Sequence, residues 1–334
     1  MDANGRKAFW NALLNAKLDN PQSMEALRQA ATPPRLLCRF RPVSENSLLQ
    51  LQENKLYYSS ADYYDDPFDT YFYIDLTNLK QFVETLKLLL VGKNESVMKW
   101  LEAVAPLLNV SSEPLVQSLN NTVPDYSELR GQLEVIRNDI QKQLFSICFC
   151  EDPFNETLWL KYADNHRGFV QIYDLSCETT FLCGKDEICR KCPSGQHPLQ
   201  FYPVFYSDER YDASKFALVC RMIQDKQWST LTPLVQQFIL KDTAWEAERI
   251  SLIKKKCHEY DQEWRMIRPQ IAPGRTYVKM RPCTVITGLR MPEYQRRLVR
   301  SAAKVAGISD IREMYIDDSD RLNLSLIHIF YWMQ

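Results

Sequence analysis

Short runs rich in β-branched and aromatic residues recur through this chain, each closed off by Asp, Pro, Asn or Gly, and helical stripes separate some of them. The runs at 36–40, 56–59, 145–150, 168–175, 201–206, 263–267, 276–280, 284–289 and 314–316 read as strands. Helical periodicity occupies 44–53, much of 76–144, most of 213–260 apart from a break at Thr232-Pro233, and 292–306, which opens on Pro292 and stops at Gly307. Strands grouped in this way predict an α+β fold with a mixed, mainly antiparallel sheet, a helical insert and a small cysteine-rich insertion. In the insert, Val97, Trp100, Leu101, Val104 and Leu108 form one apolar stripe, and Leu129, Leu133, Ile136, Ile140 and Leu144 form another.

Phe9, Trp10, Leu13, Leu14 and Leu18 fall at helical spacing ahead of the break at Pro33-Pro34, so residues 1–34 read as a helical extension. One α+β domain is expected over 35–317, with the helical insert at about 76–144 and the cysteine-rich insertion at about 176–198, since no repeat or low-complexity linker divides it. In the tail, 318–334, the string Leu324-Ser325-Leu326-Ile327-His328-Ile329-Phe330 resembles a translated adaptor fragment. It is left out of functional reasoning, and the natural carboxyl terminus is expected to be missing.

A chain of 334 residues with 45% hydrophobic and 25% charged residues supports a large packed core without disulfide staples. Its formal net charge of −1 supplies no global field for phosphate backbones or membrane surfaces, so no strong nucleic-acid signal is present. No apolar run reaches the length that crosses a bilayer, and a cytosolic location is expected. Six of the ten cysteines sit in core-like strings such as Ser146-Ile147-Cys148-Phe149-Cys150, where a thiol acts as a small hydrophobe. The others, Cys177, Cys183, Cys189 and Cys192, precede His197 in the order C-x5-C-x5-C-x2-C-x4-H. The short Cys189 to Cys192 step matches a zinc knuckle, and a structural zinc on four of these five residues is the reading, against a hairpin of free thiols.

Three further groups carry chemistry. Arg39 and Arg41 end the first strand, followed by Ser59-Ser60 and then Asp65-Asp66-Pro67-Phe68-Asp69. Guanidiniums offer a planar fork for phosphate or carboxylate, although Asp66 also suits a helix cap before Pro67 and either arginine could simply pair with an aspartate. Trp159, Tyr162, His166 and Gly168 form an aromatic group ahead of a strand and would suit a flat ligand, while each alone also reads as core or turn. In Glu263-Trp264-Arg265, strand alternation sends Glu263 and Arg265 to one face and Trp264 to the other. Glu263 then faces a cleft, where a carboxylate stabilises a developing cation, or it makes a surface ion pair with Arg265.

Taken in order, Arg39 to Arg41, Ser59 to Asp69, Cys148-Phe149, Trp159 to Gly168, Glu263 to Arg265 and Val285 to Gly288 resemble a bacterial domain-of-unknown-function family, numbered 2971. His258 stands where that family tends to carry tryptophan, and Asp261 where glutamate is usual. The layout is also similar to that of ADP-ribosyltransferases, which place a basic residue on an early strand, a serine or tyrosine on the next and a glutamate on a late one. That likeness implies a toxin or defence enzyme using NAD. Arg39 or Arg41 would hold its phosphate or ribose, Ser59 or Ser60 would line the nicotinamide site, and Glu263 would act on the oxocarbenium-like transition state. Trp159, Tyr162, His166 and Arg265 are the remaining candidates for nucleotide contact. The competing expectations are a nucleotide- or partner-binding module without catalysis, and a metal-dependent nuclease using Asp62, Asp65, Asp66 and Asp69.

Overall fold

The computed structural model of the protein describes residues 1–78, 80–81, 126–177, 180, 201–224, 236, 243–268 and 277–326. Its strands, along the chain, are β1 (Leu36–Arg41), β2 (Lys55–Tyr57), β3 (Ser59–Ser60), β4 (Phe145–Cys150), β5 (Phe169–Asp174), β6 (Tyr202–Pro203) and β7 (Phe205–Ser207). They continue with β8 (Ile253–Lys255), β9 (Glu263–Arg268), β10 (Tyr277–Lys279), β11 (Thr284–Thr287), β12 (Asp310–Ile316) and β13 (Leu322–Leu326). Nine of these build one sheet in the order β13-β12-β11-β5-β1-β4-β9-β6, with β3 also on β4. Every pairing in it is antiparallel except β11 with β12, so the fold is α+β with a mixed, mainly antiparallel sheet.

The described helices are α1 (Ala3–Asn15), α2 (Pro21–Ala30), α3 (Glu45–Gln52), α4 (Tyr126–Gln143), α5 (Glu156–Lys161), α6 (Ser214–Gln224), α7 (Glu246–Ser251) and α8 (Glu293–Val305). Local chemistry starts and stops them. Ser44 and Ser47 each accept the other's backbone N–H, at 3.1 and 2.9 Å, which closes a capping box on α3. Pro292 caps α8 from one position before its first helical residue, and Gly307, at φ +78°, takes up the left-handed turn that follows it. The parallel pair β11 and β12 requires a crossover, which α8 supplies by packing Val299, Ala302 and Ala303 onto Val285 and Phe169.

Several expectations shift. The run at 56–59 divides at Tyr58, and β2 leaves to pair with β10 while β3 joins β4. Residues 201–206 divide at Val204, where Val204 N–H bonds the Glu263 carbonyl and Phe205 N–H bonds the Leu252 carbonyl. Inside the stretch 213–260 read as helical, Ile253–Lys255 is a strand parallel to β7. Leu18 lies beyond α1 and is exposed, whereas Phe9, Trp10 and Leu13 pack on Val204, Tyr206 and Leu252. The stripe Leu133, Ile136, Ile140 and Leu144 is buried against Phe72, Ile74 and Ala217. The stripe from Val97 to Leu108 and the Thr232-Pro233 break fall outside the described residues.

One irregularity shapes everything that follows. β1 pairs with β5 at six positions, from Leu36 opposite Asp174 to Arg41 opposite Phe169, but with β4 only through Cys38 opposite Cys150. Further along β4, Ser146 and Phe145 are paired with β3 instead. The sheet is therefore split between the second half of β1 and the middle of β4.

Candidate functional site

The split opens into a cavity of about 320 Å³. Arg39 and Arg41 leave β1 on the face of Leu37, which packs with Phe149 and Trp264, while Glu263 and Arg265 leave β9 on the opposite face. Because the strands part, all four line the same space, joined by Ser59 and Tyr162. Six of the predicted site residues thus converge.

The remaining candidates do not. Ser60 turns away, its hydroxyl bonding Asp62 and the Lys142 carbonyl, the latter at 3.0 Å. Trp159 is fully buried, donates its indole N–H to the Pro153 carbonyl at 2.8 Å and meets Phe40 edge-on. His166 stacks on Trp159 with ring centroids 5.5 Å apart, in a left-handed stretch it shares with Asp164 and Asn165. Of the zinc candidates, Cys177 is half-buried just after β5, and Cys183, Cys189, Cys192 and His197 lie outside the described residues.

One wall of the cavity is an ion-pair network that contradicts the surface reading of Glu263 and Arg265. Both residues are buried, with Arg265 only 1% exposed. Arg265 donates Nε to Glu263 Oε1 at 2.6 Å and grips Asp69 with both terminal nitrogens, at 2.8 and 2.6 Å, a bidentate fork. Lys254 Nζ reaches Glu263 Oε2 at 3.1 Å and Asp261 Oδ2 at 2.9 Å. Three carboxylates therefore share two cations, and the wall keeps one negative charge in excess. Burial alone would raise Glu263, but the Arg265 and Lys254 charges outweigh it and hold the carboxyl well below its usual range. Burial would likewise lower Lys254, yet Glu263 and Asp69 raise it above an ordinary lysine. Beside them Cys148 is pushed up to about 12, first by burial and then by Glu263.

The opposite wall differs. Among the described residues neither Arg39 nor Arg41 has a carboxylate partner. Arg39 Nη1 is buried without a hydrogen-bond partner, and its guanidinium stands 5.7 Å over the Phe149 ring. Arg41 donates to the Gln50 side chain, at 2.9 Å, its one hydrogen-bond partner among the described residues. Burial lowers both, taking Arg41 to about 10 with the Arg39 charge adding to the effect. Two neighbouring like charges with poor solvation and no counterion are set up to receive an anion.

Sequence reasoning missed Lys254 and Tyr64 as parts of the site, and gave Asp261, beside the Glu263 triplet, no role in it. Lys254 is the first of three lysines, a run that looks like a solvated face, and only the alternation along β8 turns it inward while Ile253 and Lys255 on the other face stay half-buried. Tyr64 lies under Arg265, 5.4 Å from its guanidinium, and its hydroxyl bonds Ser146. Asp66 caps a tight turn rather than a helix, accepting the Phe68 N–H at 2.9 Å on one oxygen, while the other lies 3.2 Å from His258 Nε2 without a hydrogen bond. Of the aspartates proposed as metal ligands, Asp69 is held by Arg265 and Asp62 by Ser60, while Asp65 and Asp66 line the cavity and Asp66 Oδ2 is buried without a hydrogen-bond partner. Among the described residues no helix is long and apolar enough to cross a membrane. No family model, curated protein or solved structure matches the chain, and the resemblance to family 2971 rests on the order of its motifs.

Proposed function

We propose that the cavity binds a phosphate-bearing nucleotide, with its anionic group on Arg39 and Arg41. The observation that carries this reading is the pair of guanidiniums that, among the described residues, have no carboxylate partner, when Arg265 and Lys254 in the same cavity are each held by two or more carboxylates. Burying a charge unpaired is costly, and a phosphate accepting from both forks removes that cost. Ring contact is available from Phe149, which lies under Arg39, and from Tyr162 and the exposed Tyr63 at the rim.

A second reading is favoured by the presence of Ser59 and the anionic Glu263 in the same cavity. ADP-ribosyl transfer from NAD breaks the ribose C1′ bond to nicotinamide nitrogen, the electron pair leaves with nicotinamide, and an acceptor nucleophile bonds C1′. Positive charge develops on the ribose in between, and a wall with one negative charge in excess stabilises it. Against this stands the engagement of both Glu263 oxygens by Arg265 and Lys254.

Titration calorimetry with ADP and with NAD tests the binding reading, which expects saturable binding that weakens with salt and at least a tenfold loss in Arg39→Ala. Incubation with labelled NAD and a cell lysate tests the transferase. Released nicotinamide together with labelled macromolecule, both lost in Glu263→Gln, supports it, and binding without either leaves a non-catalytic module.

A further inference from the structure

Cys38 and Cys150 take no part in the ion-pair network, yet they occupy the joint beside it where β1 meets β4. They are the register pair through which β1 holds β4, at the apex of the split. Both are buried, their sulfurs are 3.1 Å apart, and each thiol also approaches the other's carbonyl, at 3.3 and 3.5 Å. Directly opposed residues of antiparallel strands have Cα atoms about 4.5–5.5 Å apart, which falls within the span a disulfide accepts. Closing the bond brings the sulfurs nearer by only about 1 Å. Both residues line the cavity, so a small solute reaches them without crossing the core.

We propose that Cys38 and Cys150 form a dithiol that closes to an internal disulfide when a peroxide enters the cavity, stapling β1 to β4 at the apex of the split. The step balances. One thiolate attacks hydrogen peroxide and becomes a sulfenic acid as hydroxide leaves and takes up a proton. The second sulfur displaces the sulfenic oxygen as water, so two thiols and one peroxide give one disulfide and two waters. Burial, and then the contact with Cys38, raises the Cys150 thiol, which makes the reaction slow at neutral pH and faster as pH rises. Cys148, on the same strand and also in the cavity, has Ser146 rather than a second thiol beside it at 3.4 Å and stays unlinked.

The test uses the full chain, reduced, exposed to hydrogen peroxide under native conditions, unfolded with an alkylating agent and digested without reductant. The expected product is a peptide joining Cys38 to Cys150 that dithiothreitol releases, formed at least about tenfold faster at pH 9 than at pH 7. It is accompanied by a rise in the midpoint of thermal unfolding. Cys38→Ser, which keeps the side chain's size, is the control and shows neither; Cys150→Ser serves equally should the first not fold. Recovery of both cysteines alkylated, a link from either to a different cysteine, or a link without thermal stabilisation would each overturn the proposal.

Discussion

Arg39 and Arg265 are guanidiniums bordering one cavity, and their surroundings assign them opposite tasks. Arg265 is satisfied by Asp69, Glu263 and the Ser251 carbonyl, so it holds elements together. Arg39 is left short of partners, so its removal relieves the free protein: Arg39→Ala is expected to leave the unliganded fold unchanged or more stable by about 1 kcal/mol in urea unfolding. The same variant is expected to lose the proposed nucleotide binding. Glu263→Gln behaves in the reverse way, because it removes the carboxylate that Lys254 and Arg265 share in a buried wall and leaves each with one other, Asp261 and Asp69; a destabilisation of about 1.5–3 kcal/mol is expected. The pH dependence follows from the direction of the Glu263 shift. Its folded value is depressed, so its contribution is complete above the unfolded value of about 4.3 and is lost as pH falls toward the lower folded one. Urea midpoints measured between pH 7 and pH 2.5 should therefore fall more steeply for the wild type than for Glu263→Gln.

At the scale of elements, the cavity depends on how tightly the end of β1 is held against β5 and the turn before it. A Cβ on Gly168 would stand 2.2 Å from the Arg41 carbonyl and 2.8 Å from Ala163 Cα, with only backbone to give way. Gly168→Ala should therefore displace Arg41, lowering stability by about 3 kcal/mol or more, with nucleotide affinity falling alongside it. On the other side, α1 is pinned to β9 by Arg6, whose Nη1 donates to the Val204 and Glu263 carbonyls at 2.9 and 2.8 Å and whose Nη2 meets Glu151 at 2.7 Å. Arg6→Met takes the charged donor from the buried Val204 carbonyl and from the Glu263 carbonyl and Glu151, of which the latter two keep other donors. It should cost about 2–4 kcal/mol in urea unfolding and speed amide exchange in α1 before the rest of the sheet. Helix ends were readable from the sequence at this scale, because caps such as Ser44 and breakers such as Gly307 act on neighbouring residues. Short strands such as β8 were not, because pairing with β7 rather than local preference creates them.

At the scale of the whole molecule, strand alternation placed Trp264 with Phe149 and Met266 and set Glu263 and Arg265 on the other face. Alternation is local, so the sequence displays it. The partner of Arg265 is Asp69, 196 residues away, and no local pattern distinguishes that pairing from one with Arg39 or Arg41. Nor does any single strand reveal the split, which exists because β3 takes the edge of β4 that β1 leaves free. The central claim is that this split leaves two arginines waiting for a phosphate. Calorimetric titration of ADP into the wild type and into the Arg39→Ala, Arg41→Ala double variant at low salt tests it most directly. Saturable binding by the wild type, with at least a hundredfold loss in a double variant that unfolds at the same or a higher temperature, is the predicted result. Equal affinity in the two proteins, or no binding by either, would contradict it.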